Sequence, residues 1–326
     1  MNEMNPKELA IGIDIGGTNT LFGFVDHKGK ILAEGNIRTS DYREFDNFFT
    51  ELCLELDKLK ESLSKDILLR GIGIGAPNGN YYKGTIEYAP NLKWKGILEV
   101  TKSFKKRYKV PVVLTNDANA AAMGEMMYGG ARKMKDFIII TLGTGLGSGI
   151  VVDGNVVYGH DGFAGEIGHI IVTPNGRKCG CGRRGCLETY ASATGIKRTV
   201  LKLLAESDED SLLNGHTIKS LSAKMIDAAA LQGDKIAKDA FEYTGRFLGE
   251  ALANSVAHTS PQAIFLFGGL AQAGDLIFRP TRKHMERNLL QIFKKKVKIL
   301  PSSLQGAQAA LLGASALVWK ELNKSK

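Results

Sequence analysis

Three of the chain's four cysteines fall in one stretch, "CGCGRRGC" (179–186), as Cys179, Cys181 and Cys186. Cys53 stands apart in a segment with helical spacing. Glycines and arginines separate the three, so the stretch is not a hydrophobic core element, and three thiols cannot all pair among themselves. A disulfide framework needs an even, distributed set, usually in a small secreted chain. Three thiolates close together suit a tetrahedral metal ion that still lacks one ligand.

A second pattern with chemical content occurs twice. "DIGGTNT" (14–20) sets Asp14 at a strand end, followed by Gly16 and Gly17 and by hydroxyl side chains that can donate, Thr18 and Thr20. Glycines let the backbone approach a phosphate, and consecutive N–H groups make an anion cradle. "TLGTGLGSG" (141–149) offers the same chemistry again. Either turn alone could be a tight hairpin needing positive φ; the two together, one led by an acidic residue, point to phosphate. "GTGLGSG" runs into the strand-like "IVVDG" and not into a helix, so the dinucleotide-binding fingerprint fails. A lysine-bearing phosphate loop is absent.

The elements that must position these residues also repeat. "ELAIGIDIGGTNTLFGFVDHKGKILAEGNI" reads as strand, glycine turn, strand, charged turn, strand. "FIIITLGTGLGSGIVVDGNVVYG" reads the same way from Phe137. Between them come a helix from about Phe45 to Ser64, buried strands in "LLRGIGIGAP" and "VPVVLTND", and a helix starting after Asp117. Later come helical stretches from about Ala191 and over 220–258, broken by the polar segment 206–217, then the strand "QAIFLFGGL" and a C-terminal helix. The duplication predicts an α/β protein of two similar domains around a cleft. Residues 1–117 form the first, 118–306 the second with the cysteine loop and a dimerisation surface, and the helix of about 307–326 returns to the first.

At 326 residues the length suits two domains of about 150 each. The composition, 44% hydrophobic and 24% charged, is that of an ordinary globular protein. The first residues do not read as a signal peptide, and no apolar run approaches the ~20 residues of a membrane span. The expectation is therefore a cytoplasmic protein without a membrane partner. A net charge of +9 raises the question of nucleic acid, but the basic runs at 102–109 and 293–298 are short, sit beside strand-like segments and lack an aromatic platform. They read as a solvated basic face. Eight residues precede the strand at Leu9, which leaves no room there for a DNA-binding module.

"DIGGTN", "GTGLGSG", "TNDANAAAMGE" and "GEIGHIIV…CGCGRRGCLE" resemble the ROK family of sugar kinases and repressors, within the actin-like ATPase superfamily. The resemblance runs from about Leu9 to the C-terminal helix and is most specific from Glu166 to Glu188. It implies an actin-like (ribonuclease H-like) fold and a structural zinc on His169, Cys179, Cys181 and Cys186; His160 in "VYGHDG" is the rival fourth ligand. It further implies that Glu166, His169 and Glu188 contact sugar hydroxyls. His169 would bind the metal through one ring nitrogen and orient a hydroxyl with the other.

By the same resemblance Asp117 is the base that takes the proton of the sugar hydroxyl; a helix-capping aspartate is the alternative. Asn116 and, by a looser match in "YAPNLKW", Asn91 are sugar contacts. Asp14 holds Mg²⁺ through water. Gly16, Gly17, Thr18, Asn19, Gly143, Thr144 and Gly145 serve ATP and its metal, and Gly268 and Gly269 the nucleoside. The chain departs from the family in "GAPNGN", where Asn78 follows Pro77 in place of glycine, in a loop that shapes the sugar pocket.

The function implied is ATP-dependent phosphorylation of a hexose, with glucose first and N-acetylmannosamine, N-acetylglucosamine, fructose or allose as alternatives. A homodimer or homotetramer is the implied assembly. A sugar-responsive transcription regulator is the alternative of another class. A chaperone-type ATPase would have no use for the zinc loop.

Overall fold

The alternation in the opening segment folds into β1 (Lys7–Ile15), β2 (Thr20–Val25) and β3 (Ile31–Ile37), an antiparallel meander. The structure is a computed structural model that describes residues 6–63, 66–304 and 306–324. Helix α1 (Phe45–Glu61) buries Phe48, Leu52 and Leu56, one apolar stripe at four-residue spacing. Ser64, the expected end of this helix, lies outside the described residues. β4 (Ile67–Gly75) then runs parallel to β1.

A small sheet of β5 (Gly79–Asn80), β6 (Thr85–Glu87) and β7 (Ile97–Leu98) follows, unmarked in the sequence reading because its strands are only two or three residues long. The basic run at 102–109 lies mostly on α2 (Val100–Tyr108), a helix the reading also missed. It buries Val100, Thr101 and Phe104 and leaves its lysines outside. β8 (Val112–Thr115) closes the first sheet, whose order is β3-β2-β1-β4-β8. α3 (Asp117–Tyr128) starts two residues later.

The second sheet repeats the first. β9 (Phe137–Leu142) and β10 (Leu146–Val152) are antiparallel, and β11 (Asn155–Val156) is a two-residue edge. Helices α4 (Ala193–Glu206), α5 (Ala223–Leu231) and α6 (Lys235–Thr259) precede β12 (Ala263–Phe267), which runs parallel to β9. Helix α7 (Asp275–Asn288), which the sequence reading did not foresee, contains Pro280. β13 (Lys298–Pro301) completes the order β11-β10-β9-β12-β13. Each sheet thus has two parallel pairs beside its meander, and each has its own apolar core.

The chain divides into two compact units. The first runs to Met134, takes in Val156–Ala164 and resumes at Ser303; the second holds Lys135–Asn155 and Gly165–Ser302. The passage therefore lies at Met134, later than the expected division after Asp117, because α3 packs on α8 (Gly306–Lys324) in the first unit. A side-chain carbon on Gly124 would stand 2.9 Å from the Gly313 Cα, so the two helices meet glycine to glycine. Gly12 and Gly73 likewise leave room for the α8 backbone on β1 and β4. Residues 325 and 326, the expected tail of this helix, lie outside the described residues. The return of Val156–Ala164 was unforeseen; the Tyr158 ring lies flat on Tyr81 at 3.9 Å, and Tyr81 donates to Glu321 Oε1 at 2.7 Å.

Candidate active site and metal centre

In the first unit, Asp14 is the second-last residue of β1, and its strand neighbour is Gly75 on β4. A side-chain carbon on Gly75 would lie 3.5 Å from Asp14 Oδ1 and 3.8 Å from the Asp117 Cα, so this glycine lets the start of α3 approach the β1 carboxylate. Burial and the neighbouring Asp117 charge push Asp14 up to about 7. Asp117 presents exposed surface, yet the protein around it still raises its carboxyl above the ordinary range, against the bond it accepts from the Ala118 N–H at 2.8 Å.

Asn116, not Asp117, caps α3: its Oδ1 accepts from the Asn119 N–H at 2.7 Å. The capping alternative for Asp117 therefore falls to its neighbour. Asn91 is exposed, and its carbonyl oxygen lies 2.5 Å from where a side chain on Gly17 would begin. Gly16 donates to the Asn19 carbonyl at 3.0 Å, closing the turn, and Thr18 and Asn19 are exposed. Thr20 is not available to a ligand. It is fully buried and shares a 2.7 Å bond with Thr39 Oγ1.

In the second unit the Gly143–Gly145 turn joins β9 to β10, with Gly143 N–H on the Gly145 carbonyl at 3.1 Å. None of Gly16, Gly17, Gly143 and Gly145 takes a positive φ, so the hairpin alternative does not explain them. Three of the four are needed for close approach, and around Gly143 there is open space. Thr144 is exposed beside it. Gly268 does take a positive φ, 101°, directly after β12, and Gly269 faces open space. Asn78 in the first unit has φ 50°, a region asparagine tolerates better than most residues, and its Nδ2 donates to the Glu87 carbonyl at 3.0 Å. The turn that glycine would make is kept.

The ligand atoms of His169, Cys179, Cys181 and Cys186 all lie within 4.8 Å of one another. Metal–sulfur bonds of about 2.3 Å put tetrahedral ligands roughly 3.8 Å apart. Cys181 and Cys186 Sγ are 3.7 Å apart, and Cys179 Sγ is 3.8 Å from His169 Nδ1. The set fits a small tetrahedral cation, and its sulfur-rich chemistry suits zinc. The Cys179 thiol donates to Glu188 Oε1 at 2.9 Å, and burial together with that carboxylate pushes the thiol up. A dication would relieve this crowding of acidic groups. Nδ1 faces the thiols, which leaves Nε2 as the ring nitrogen for another partner. His160 falls in the returning segment 156–164 of the first unit and is no part of the cluster.

Glu166 is exposed at the head of a 3₁₀ turn, Ile167–His169. Ser148, buried on β10, accepts from the Ile167 N–H at 3.1 Å and donates to the Gly165 carbonyl, so it fixes the peptides on both sides of Glu166. Sequence reasoning passed over it, although it stands inside "GTGLGSG". Glu188 sits on a second 3₁₀ turn, Leu187–Thr189, which directly follows Cys186 of the cluster. The first unit thus gathers Asp14, Gly16, Gly17, Thr18, Asn19, Asn91, Asn116 and Asp117. The second gathers Gly143, Thr144, Gly145, Glu166, His169, Glu188, Gly268, Gly269 and the three cysteines.

Two sheets of one strand order, with a Cys₃His cluster beside a carboxylate, define a duplicated α/β protein with a loop in its second unit that could hold a metal ion. The chain belongs to the ROK family, whose sequence model matches residues 10–321. It is 36% identical over 318 residues to the glucokinase of Halalkalibacterium halodurans, covering 96% of each chain. It is also 30% identical over 317 residues to the xylose repressor of Bacillus subtilis, covering 95% of this chain and 76% of the repressor. Among solved structures, a ROK family glucokinase from Streptomyces griseus in complex with glucose and AMPPNP matches with a TM-score of 0.79 at 35% identity, over 95% of this chain and 98% of that one.

Proposed function

We propose that the protein transfers the γ-phosphoryl group of ATP to a hydroxyl of a hexose, with glucose as the substrate and glucose 6-phosphate and ADP as products. Phosphoryl transfer needs bound nucleotide with its metal ion, an aligned hydroxyl and a proton acceptor. Asp117 takes the hydroxyl proton, and its raised pKa makes it a stronger base than an ordinary carboxylate once ionised. Asp14 would hold Mg²⁺, and the cation's charge would favour the ionised carboxylate there. The turns at Gly16–Asn19 and Gly143–Gly145, with Gly268 and Gly269, receive the nucleotide. Asn91, Asn116, Glu166, His169 and Glu188 bind the sugar, and zinc on the Cys₃His set would hold the loop that carries the last three without taking part in the chemistry.

The observation that carries this reading is the position of Glu188. One carboxylate oxygen lies 2.9 Å from Cys179 Sγ and the other lies 2.6 Å from where a side chain on Gly145 would begin. A group able to accept two directed hydroxyl bonds is thereby set against both the metal cluster and a phosphate-type turn. The similarity to a glucokinase in complex with glucose and AMPPNP supports both ligands.

The test is ADP release measured on purified protein with ATP and magnesium across glucose, fructose, allose, N-acetylglucosamine and N-acetylmannosamine. Glucose should give the highest kcat/KM. A different best sugar would replace glucose, and no release with any sugar would sink the kinase reading. Similarity to a xylose repressor favours a second reading, a sugar-responsive regulator. A specific band shift on DNA without sugar-dependent turnover would favour it.

A further inference from the structure

Arg177 lies in the metal loop, two residues before Cys179, and is itself no metal ligand. Its Nη1 donates to the Thr189 carbonyl at 2.8 Å and to the Gly195 carbonyl at 3.1 Å, and its Nη2 donates to Thr199 Oγ1 at 3.1 Å. Its own N–H donates to Tyr190 Oη at 3.0 Å, and the guanidinium stands 4.6 Å from the centre of the Tyr190 ring. Among the described residues no carboxylate pairs with it. The carbonyls and the Tyr190 and Tyr243 rings carry the compensation for its charge, and burial pulls its pKa down.

Such a residue is expensive as mere filler. A partly buried cation without a counter-ion stabilises less than an apolar side chain of the same volume would. What a planar guanidinium adds is direction, because it holds two carbonyls and a hydroxyl in one rigid fork. Both carbonyls belong to the segment that carries Glu188. The Glu188 carbonyl itself accepts from Ser192 Oγ at 2.7 Å, and Ser192 caps α4 by accepting from the Gly195 N–H at 2.9 Å. Glu188 is therefore held on its N-terminal side by the ligand Cys186 and on its C-terminal side by Arg177 acting on Thr189.

We propose that Arg177 is a positioning residue for Glu188: its guanidinium fixes the Thr189–Tyr190 peptide, one residue beyond Glu188, and so sets the aim of the carboxylate for sugar. The inference rests on the reading of Glu188 as a sugar ligand. Two carbonyls released from charged donors translate into a loss of about tenfold or more in sugar affinity if the aim is lost.

The experiment compares wild type with Arg177→Met, Arg177→Lys and the milder Thr199→Val, which deletes one partner of the fork. Glucose and AMPPNP affinities are measured by calorimetry, with zinc content and thermal unfolding alongside. Sugar affinity should fall about tenfold in Arg177→Met, less in Arg177→Lys and about twofold in Thr199→Val, while AMPPNP affinity and zinc content hold. A lysine that restores full affinity would mean charge alone suffices, and this overturns positioning by the fork. Equal losses for sugar and nucleotide, or unchanged sugar affinity in the folded variants, overturn it too; if the arginine variants do not fold, an unchanged Thr199→Val decides against it. A wild type that binds none of the hexoses removes the kinase reading and this inference together, and that is seen before any variant is compared.

Discussion

Glu188 Oε2 lies 2.6 Å from the point where a side-chain carbon on Gly145 would stand. The glycine turn of the second unit and the carboxylate of the cysteine loop are thus in contact, with nothing but the absence of a methyl group allowing it. Gly17 has the same relation to the Asn91 carbonyl in the first unit, at 2.5 Å. In each unit a glycine of the turn makes room for a residue assigned to sugar.

Gly145→Ala should therefore act on sugar before it acts on nucleotide. The added methyl displaces the Glu188 carboxylate, so the glucose KM should rise about tenfold or more, the range of a charged hydrogen bond, with a smaller change for ATP. Steady-state kinetics with each substrate varied in turn reads the split. A variant that weakens ATP alone would return Gly145 to the phosphate and leave Glu188 unaffected.

Metal removal gives a second test. Freshly purified protein should carry about one zinc per chain, and Cys181→Ala should lose it together with several degrees of thermal stability, since metal held by the folded chain stabilises that chain. Sugar binding should weaken in step while AMPPNP binding persists, because the loop carries Glu188 and His169. Elemental analysis finding no metal in protein kept from chelators would count against the cluster.

Asp117→Asn separates the base from the scaffold. The cap of α3 is Asn116, so the helix should form, and the unfolding temperature should not fall, since a carboxyl raised by burial costs stability near neutral pH. Turnover should drop on the order of 10²–10⁴-fold with sugar and nucleotide still bound. In wild type, kcat should climb with pH as the raised Asp117 carboxyl ionises. A variant that keeps more than a tenth of the wild-type kcat would leave the mechanism without its base.

Asp14 predicts how stability changes with pH in the ligand-free protein. Its carboxyl is pushed up to about 7 by burial and by Asp117, whereas an unfolded chain releases that proton near its ordinary value. Between about pH 4 and pH 7 the folded state binds more protons, so stability is highest at the acid end of that window and declines as pH rises through it. Asp14→Asn should flatten the decline, matching wild type near pH 4.5 and unfolding at higher temperature at pH 7.5. Thermal melts across the range that run parallel for the two proteins would refute the shift.

The duplicated meander, the glycine turns, the strand-end Asp14 and the three cysteines were legible in the sequence, because they rest on local rules of alternation, turn chemistry and ligand type. The family resemblance extended that reading to His169 and Glu188. What stayed hidden was whatever depends on partners far along the chain. Nothing in "GGTNT" says that Thr20 is sealed against Thr39, and nothing in "NDANA" says that Asn116 takes the cap and leaves Asp117. α3 looked like the opening of the second domain until Gly124 met Gly313, nearly two hundred positions later, and joined it to the first. Nothing in "PNGRKC" says that three acceptors and a tyrosine ring close around Arg177. Local pattern determined which chemical groups the chain would carry. Packing decided which of them are held in place and which remain open, because a side chain's environment is set by atoms that only the folded backbone brings together.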